Sequence, residues 1–273
     1  LIKLENNPLF GFTCHFVWQL GGIMPTRRDL LKTFCASAAL CATGSLFSGC
    51  SEDARAGEKF TEAGFWRKEP GNMVRCELCP RSCRLPEGAT GVCRVRKNIG
   101  GTLYSLVYGK PVSIHVDPIE KKPFYHFLPG SRAFSLATVG CNLRCSFCQN
   151  WEISQANPGE VPAYDGSPSL IAEKARESDA PVIACTYTEP VVFCEYVKDI
   201  AIEAKKSKIR TTMVSAGFIN EKPLKELCRY LSAIKIDLKA FNDNFYRDLT
   251  GGRLEPVKKT LVTIRNSGIW LEI

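Results

Sequence analysis

From Ala133 onward, short apolar runs alternate with stretches whose apolar positions recur every three or four residues. The first kind predicts buried strands, the second helices lying on them. The runs are Ala133–Val139, Pro181–Tyr187, Arg210–Val214, Ala233–Leu238 and Ile269–Ile273. Between them, Ser167 followed by Pro168 has the cap and first-turn residues of a helix. A second helix places Phe193, Val197, Ile200, Ala201 and Ala204 on one face. A third, from about Asn220, buries Leu224, Leu227, Cys228 and Leu231, and a fourth aligns Val257, Leu261 and Ile264. Strands alternating with helices predict an α/β fold on a parallel sheet. Cys185, Cys194 and Cys228 fall on apolar faces and read as core thiols.

One strand breaks the apolar rule. Ile234, Ile236 and Leu238 alternate with Lys235, Asp237 and Lys239. In a parallel βα barrel, helices cover the outer face and ligands meet the carboxyl ends of the strands. The charged set therefore faces the interior, where charge needs a partner. Asp237 and Lys239 suit a ribose hydroxyl and a carboxylate; the plainer alternative is a self-satisfied ion pair.

Before Ala133 the pattern is shorter in period. Val92–Arg96, Leu103–Tyr108 and Val112–Val116 predict strands, with turns at Asn98–Gly101 and Gly109–Pro111. Asp117–Gly130, with three prolines, predicts an irregular connector in which His126, like His115 before it, is packed rather than catalytic. Residues 51–71 are polar and predict a linker, and 1–23 carry no usable pattern and read as a non-native or unstructured leader. The division expected is then 72–130 for a small cysteine-rich β domain with its connector, and 131–273 for the parallel α/β domain.

Composition changes this picture little: 45% of the 273 residues are hydrophobic, enough for a sizeable core. The net charge of +8 comes without a basic run interleaved with aromatics, so no nucleic-acid partner is expected. The cysteines change it more. Of 14, seven fall into two tight clusters, which points to metal ligation rather than a disulfide framework in a chain of this size.

Cys141, Cys145 and Cys148 stand as C-x3-C-x2-C in GCNLRCSFCQNWEI, with no fourth cysteine before Cys185. An electron-carrier 4Fe–4S cluster or a structural zinc site wants four ligands. Three thiolates leave one iron of a cubane open to a substrate, with Phe147 as an apolar wall. A zinc site completed by a distant residue and three unliganded thiols are the alternatives. Cys76, Cys79, Cys83 and Cys93 form a complete four-thiolate set, C-x2-C-x3-C-x9-C. Zinc and a second 4Fe–4S cluster both suit it, unliganded thiols being the other possibility.

The three-cysteine loop resembles that of the radical S-adenosylmethionine (radical SAM) superfamily. DPIEKKPFYHFLPG followed by GCNLRCSFCQNWEIS resembles the radical SAM enzyme of the AmmeMemoRadiSam system, a group related to pyruvate formate-lyase activating enzymes. The resemblance covers about residues 72–273. It implies a partial parallel (β/α) barrel, here truncated after the fifth strand, and a 4Fe–4S cluster that cleaves S-adenosylmethionine reductively for hydrogen abstraction from an unknown substrate. It implies that Asp237 and Lys239 contact the cosubstrate. It also implies that the turn carrying Thr188 and Glu189 presents backbone groups to the methionine amine, although Tyr187 and Thr188 replace two glycines of that motif. Val214 stands where activating enzymes often have an acid, which removes a cation ligand. The partners implied are a reductant such as flavodoxin or ferredoxin and a Memo-like protein.

Cosubstrate and reductants of this kind place the protein in the cytoplasm. Residues 24–50, beginning MPTRRDLLKTF, instead resemble a twin-arginine export signal, too weakly apolar for a stable membrane span. Two rival functions follow: an activator of a glycyl radical enzyme, and an exported iron–sulfur electron carrier without catalysis.

Overall fold

The computed structural model describes residues 60–273; the expectations for 1–23, 24–50 and 51–59 lie outside the described residues. Among the described residues, no helix is long and apolar enough to cross a membrane. Two small antiparallel sheets come first. Their strands are β1 (Thr61–Glu62), β2 (Trp66–Glu69), β3 (Met73–Cys76), β4 (Arg84–Leu85), β5 (Arg96–Ile99) and β6 (Thr102–Ser105). They pair in the orders β1-β6-β5 and β2-β3-β4.

The rest is built on one six-stranded sheet of β7 (Ser113–Pro118), β8 (Arg132–Ala137), β9 (Val182–Cys185), β10 (Arg210–Ser215), β11 (Ala233–Ile236) and β12 (Trp270–Glu272). The strands lie in sequence order; β8 to β12 are parallel and β7 pairs antiparallel with β8. The helices are α1 (Trp151–Ser154), α2 (Pro168–Glu177), α3 (Cys194–Lys206), α4 (Glu221–Cys228), α5 (Asp243–Phe245) and α6 (Leu254–Asn266). Ser167 caps α2 by accepting from the Leu170 N–H at 3.3 Å.

The central strands are buried on both faces, as parallel strands are when both sides are covered. Alternate residues serve different cores. Ile183, Cys185, Met213, Ile234 and Ile236 join the large core that includes the apolar stripes of α2, α3, α4 and α6. Val182, Ala184, Val214 and Ala233 face the other way, onto Ile119, Phe124 and Phe127 of the connector. The connector thus fills the inner face of the sheet near the start of the strands. It is tied to the far edge as well: both Glu272 carboxylate oxygens accept from the N–H groups of Tyr125, His126 and Phe127 at 2.8, 3.1 and 3.0 Å.

Several sequence expectations need correction. The linker expected at 51–71 contains β1 and β2. Trp66–Glu69 has no apolar alternation; it is held by pairing with β3 and by Glu69, whose carboxylate binds Arg75 at 2.6 Å and Arg84 at 2.8 Å. The strand expected at Val92–Arg96 starts only at Arg96, because Gly91–Arg94 closes a turn through a 2.8 Å bond from the Arg94 N–H to the Gly91 carbonyl. Asn98 belongs to that strand, and the turn is moved on to Gly100-Gly101. The strand expected at Leu103–Tyr108 is shorter, Thr102–Ser105. The strand near Val112 does not stay with the small sheets; as β7 it pairs with β8 from Ser113–Ala137 to Pro118–Arg132.

Candidate functional site

A cleft of about 400 Å³ opens at the carboxyl ends of β8 to β11, within the size range of small-molecule sites. The loop after β8 brings Cys141, Cys145 and Cys148 to it; the turn after β9 brings Tyr187, Thr188 and Glu189; the end of β11 brings Asp237 and Lys239. A larger cleft of about 950 Å³ lies between β1–β2 and α3–α4. It contains none of the clustered cysteines, so its size does not make it the reactive centre.

The cysteine loop is anchored at both ends. Gly140 has φ +99°, and a Cβ there would stand 2.5 Å from a Val95 methyl and 2.7 Å from the Cys93 carbonyl oxygen. Only glycine permits so close an approach in that conformation. The middle of the loop is bonded to a π-helical turn, Tyr246–Thr250: the N–H groups of Arg144 and Ser146 donate to Thr250 and Leu249 at 2.9 Å each. Single π turns of this kind often sit beside functional sites. The Leu143 N–H donates to Cys141 Sγ at 3.3 Å, and Cys148 Sγ lies 3.4 Å from Ser154 Oγ on α1.

Just past β11, Asp237 and Lys239 line the cleft, and Lys235 of β11 pairs with Asp237. Lys235 Nζ lies 2.6 Å and Lys239 Nζ 3.1 Å from separate oxygens of Asp237. Burial alone would push the Asp237 carboxyl up; Lys239 and Lys235 outweigh it and hold it below its ordinary value. Burial pulls Lys239 down, but Asp237 overrides this and keeps it above its ordinary value. Burial pushes the Cys141 and Cys145 thiols up, Cys145 being drawn back in part by the Lys239 ammonium.

Glu189 is 2% exposed and fully engaged by protein. It accepts from Ser215 Oγ at 2.7 Å, the Ala216 N–H at 2.9 Å and the Val191 N–H at 3.1 Å. It therefore stitches the end of β9 to the end of β10. Its burial raises the carboxyl above its ordinary value against these donors. Thr188 donates to the Thr138 carbonyl at 2.8 Å, joining the same turn to the segment after β8.

Tyr187 keeps the left-handed backbone expected of a glycine, φ +63°. Its side chain is anchored in return. Lys122, 1% exposed, donates to Tyr187 Oη at 2.6 Å and pairs with Asp117 at 2.6 Å, while Tyr187 Oη donates to Asp117 at 3.0 Å. Asn150 donates to the Tyr187 carbonyl at 2.8 Å. Lys122 is thus a buried brace of the cleft.

Phe147 is 50% exposed and packs on Phe245 at a ring separation of 5.6 Å, outside the cleft lining. His126 is exposed rather than packed, and so is His115, which stands edge-on to the Tyr187 ring at 5.9 Å; the His126 backbone N–H donates to Glu272. Asn150, Ser154, Ser215 and the π turn were not singled out by sequence; of these, only the Gly251-Gly252 pair after the turn gave a signal.

Among the described residues, no three His, Cys, Asp or Glu side chains already converge on a point that a metal could take. The donor chemistry nevertheless fits an iron–sulfur cluster. Three thiols share one anchored loop and one roomy cleft, and among the described residues no fourth cysteine lines it.

The Radical SAM superfamily pattern matches residues 135–272, half of the chain. The uncharacterized protein MJ0808 of Methanocaldococcus jannaschii is 43% identical over 212 residues, 78% of this chain and 63% of that protein. Pyruvate formate-lyase 1-activating enzyme of Escherichia coli K12 is 26% identical over 127 residues, 45% of this chain and 51% of that enzyme. The chain thus spans between half and two thirds of the length of these relatives. QueE from Escherichia coli superposes with a TM-score of 0.33 at 11% identity, over 59% of this chain and 92% of that one, a likeness too low to carry an argument. The cysteine loop, the parallel sheet beneath it and the superfamily match over both agree: this chain belongs to the Radical SAM superfamily.

Proposed function

We propose that this chain is a radical SAM enzyme in which Cys141, Cys145 and Cys148 hold a 4Fe–4S cluster and the cleft beside them holds S-adenosylmethionine. The carrying observation is that three thiols at this spacing open onto the same 400 Å³ cleft as Asp237 and Lys239. The cluster, when bound, supplies the electron that cleaves the sulfonium carbon–sulfur bond and so yields a hydrogen-abstracting 5′-deoxyadenosyl radical. The chain's own residues position and shield that chemistry. Asp237 accepts hydrogen bonds from the ribose hydroxyls, while Lys239 meets the cosubstrate carboxylate. Glu189 holds the β9 and β10 ends together, which fixes the backbone of Thr188 and Tyr187 for the amine. A flavodoxin or ferredoxin delivers the electron, and these reagents place the reaction in the cytoplasm.

The test uses anaerobically reconstituted protein with a strong reductant. Wild type should release 5′-deoxyadenosine slowly without further substrate. Alanine at any of the three cysteines should abolish release. A cluster whose spectrum ignores S-adenosylmethionine and that forms no 5′-deoxyadenosine would replace this reading with the electron carrier. One observation favours a narrower role: the likeness to pyruvate formate-lyase 1-activating enzyme supports a glycyl radical protein as substrate, against a small molecule modified for a Memo-like partner. Formation of a glycyl radical signal on a co-produced partner distinguishes the two.

A further inference from the structure

We infer that Cys76, Cys79, Cys83 and Cys93 hold a single zinc ion, and that this ion clamps the cysteine loop of the cleft in place. The four residues are free thiols that line one cavity between β3, β4 and the turn before β5. That cavity measures about 10 Å³, room for roughly one water-sized sphere. A lone ion suits so small a space better than an iron–sulfur cubane, whereas the 400 Å³ cleft has room for the larger group.

A cation borders this cavity. Four thiolates around a divalent cation carry two excess negative charges. The guanidinium of Arg96 lies against them, 1% exposed, with Nη1 3.6 Å from Cys76 Sγ. Arg96 also pairs with Glu195, yet its buried Nε has no hydrogen-bond partner. A buried guanidinium with an unpartnered Nε at the edge of the cysteine cavity favours added negative charge there. The thiol groups do not converge in their present rotamers. On this assignment the thiol groups rotate within the cavity to bind at the roughly 2.3 Å usual for zinc–sulfur bonds, with the thiol protons leaving to solvent.

The clamp follows from what the ligand loops touch. Cys93 and its neighbour Val95 form the wall against Gly140. Arg81 Nε donates to the Asn142 carbonyl at 3.0 Å. Arg94 donates to Gln155 at 2.7 Å, and Gln155 to the Leu143 carbonyl at 3.1 Å. Every support of residues 140–143 from the small sheets therefore comes from a residue within two positions of a proposed ligand.

The experiment does not depend on the proposed activity. In full-length protein carrying Cys141→Ala, Cys145→Ala and Cys148→Ala, metal analysis should find about one zinc per chain, and adding Cys79→Ser and Cys93→Ser should leave less than about a tenth of it. Co²⁺ added to the first variant should give the thiolate charge-transfer and tetrahedral visible bands of four-sulfur coordination. A folded first variant with neither zinc nor those bands overturns the site. Iron and sulfide in place of zinc overturn the single-ion assignment. The cobalt spectrum decides even where the second variant does not fold. For the clamp, stripping zinc from the first variant should speed amide exchange of residues 140–146 at least about tenfold relative to β9 and β10. Equal protection before and after stripping overturns the clamp.

Discussion

Gly140 is the position where one added atom does most damage. A methyl group there meets Val95 and the Cys93 carbonyl oxygen, and the backbone conformation itself disfavours alanine. Gly140→Ala should cost about 2–4 kcal/mol, read as a lower denaturant midpoint at unchanged slope, with reduced iron uptake by the loop. Asp237 carries a different prediction. Its carboxyl is held below the ordinary value of 3.8 in the folded state, so its contribution to stability is present above that value and is lost as pH falls through the lowered one. The stability gap between wild type and Asp237→Asn should therefore be full at neutral pH and close in acid. With cosubstrate present, the same substitution should weaken binding without loss of iron, measured by titration of the reconstituted protein. Tyr187→Phe removes the phenol from between Lys122 and Asp117 while leaving the ring and those two charges; a loss of about 1–3 kcal/mol is expected in chemical denaturation.

At the scale of elements, sequence and structure agree where burial dictates pattern. Strands β8 to β11 are covered on both faces, so they appear in the sequence as apolar runs, and α3, α4 and α6 show the matching stripes. The charged alternation was legible because Asp237 and Lys239, just past the end of β11, line the cleft. Strands β1 to β4 were invisible because they are short and polar and are held by pairing and by ion pairs such as those of Glu69. The cysteines of the site were legible from spacing. Its supports were not: the carbonyls of Leu249 and Thr250 and the hydroxyl of Ser215 act through positions that no local spacing marks. Glu189 was singled out as a contact to the cosubstrate, whereas its visible bonds make it the stitch between two strands. Glu189→Ala should cost about 2–4 kcal/mol, because the Ser215 hydroxyl and the Ala216 N–H lose their buried partner; the denaturant midpoint measures it.

Across the whole described region, the sheet is open but its edges are joined. The connector leaves β7, crosses the inner face and meets Glu272 on β12. Burial would raise the Glu272 carboxyl, but three backbone N–H groups and the Trp270 indole outweigh this and hold it below its ordinary value. The tie is therefore complete above the ordinary carboxylate range and is released as pH falls through the lowered value. Glu272→Gln should loosen it at neutral pH, seen as faster amide exchange at Tyr125, His126 and Phe127 with exchange in β9 unchanged.

The difference in size between the two cysteine cavities also sets an order in time. A space that admits about one atom and is walled by Leu78, Leu85 and Val192 exchanges its contents only as the small sheets open. The wide cleft is reached without such opening. On the zinc assignment the two sites would load on separate clocks: the ion at the rate at which the small sheets open, the cofactor at the exposed cleft. Oxidative loss of the second would leave a protein that reloads quickly; loss of the first would be made good slowly.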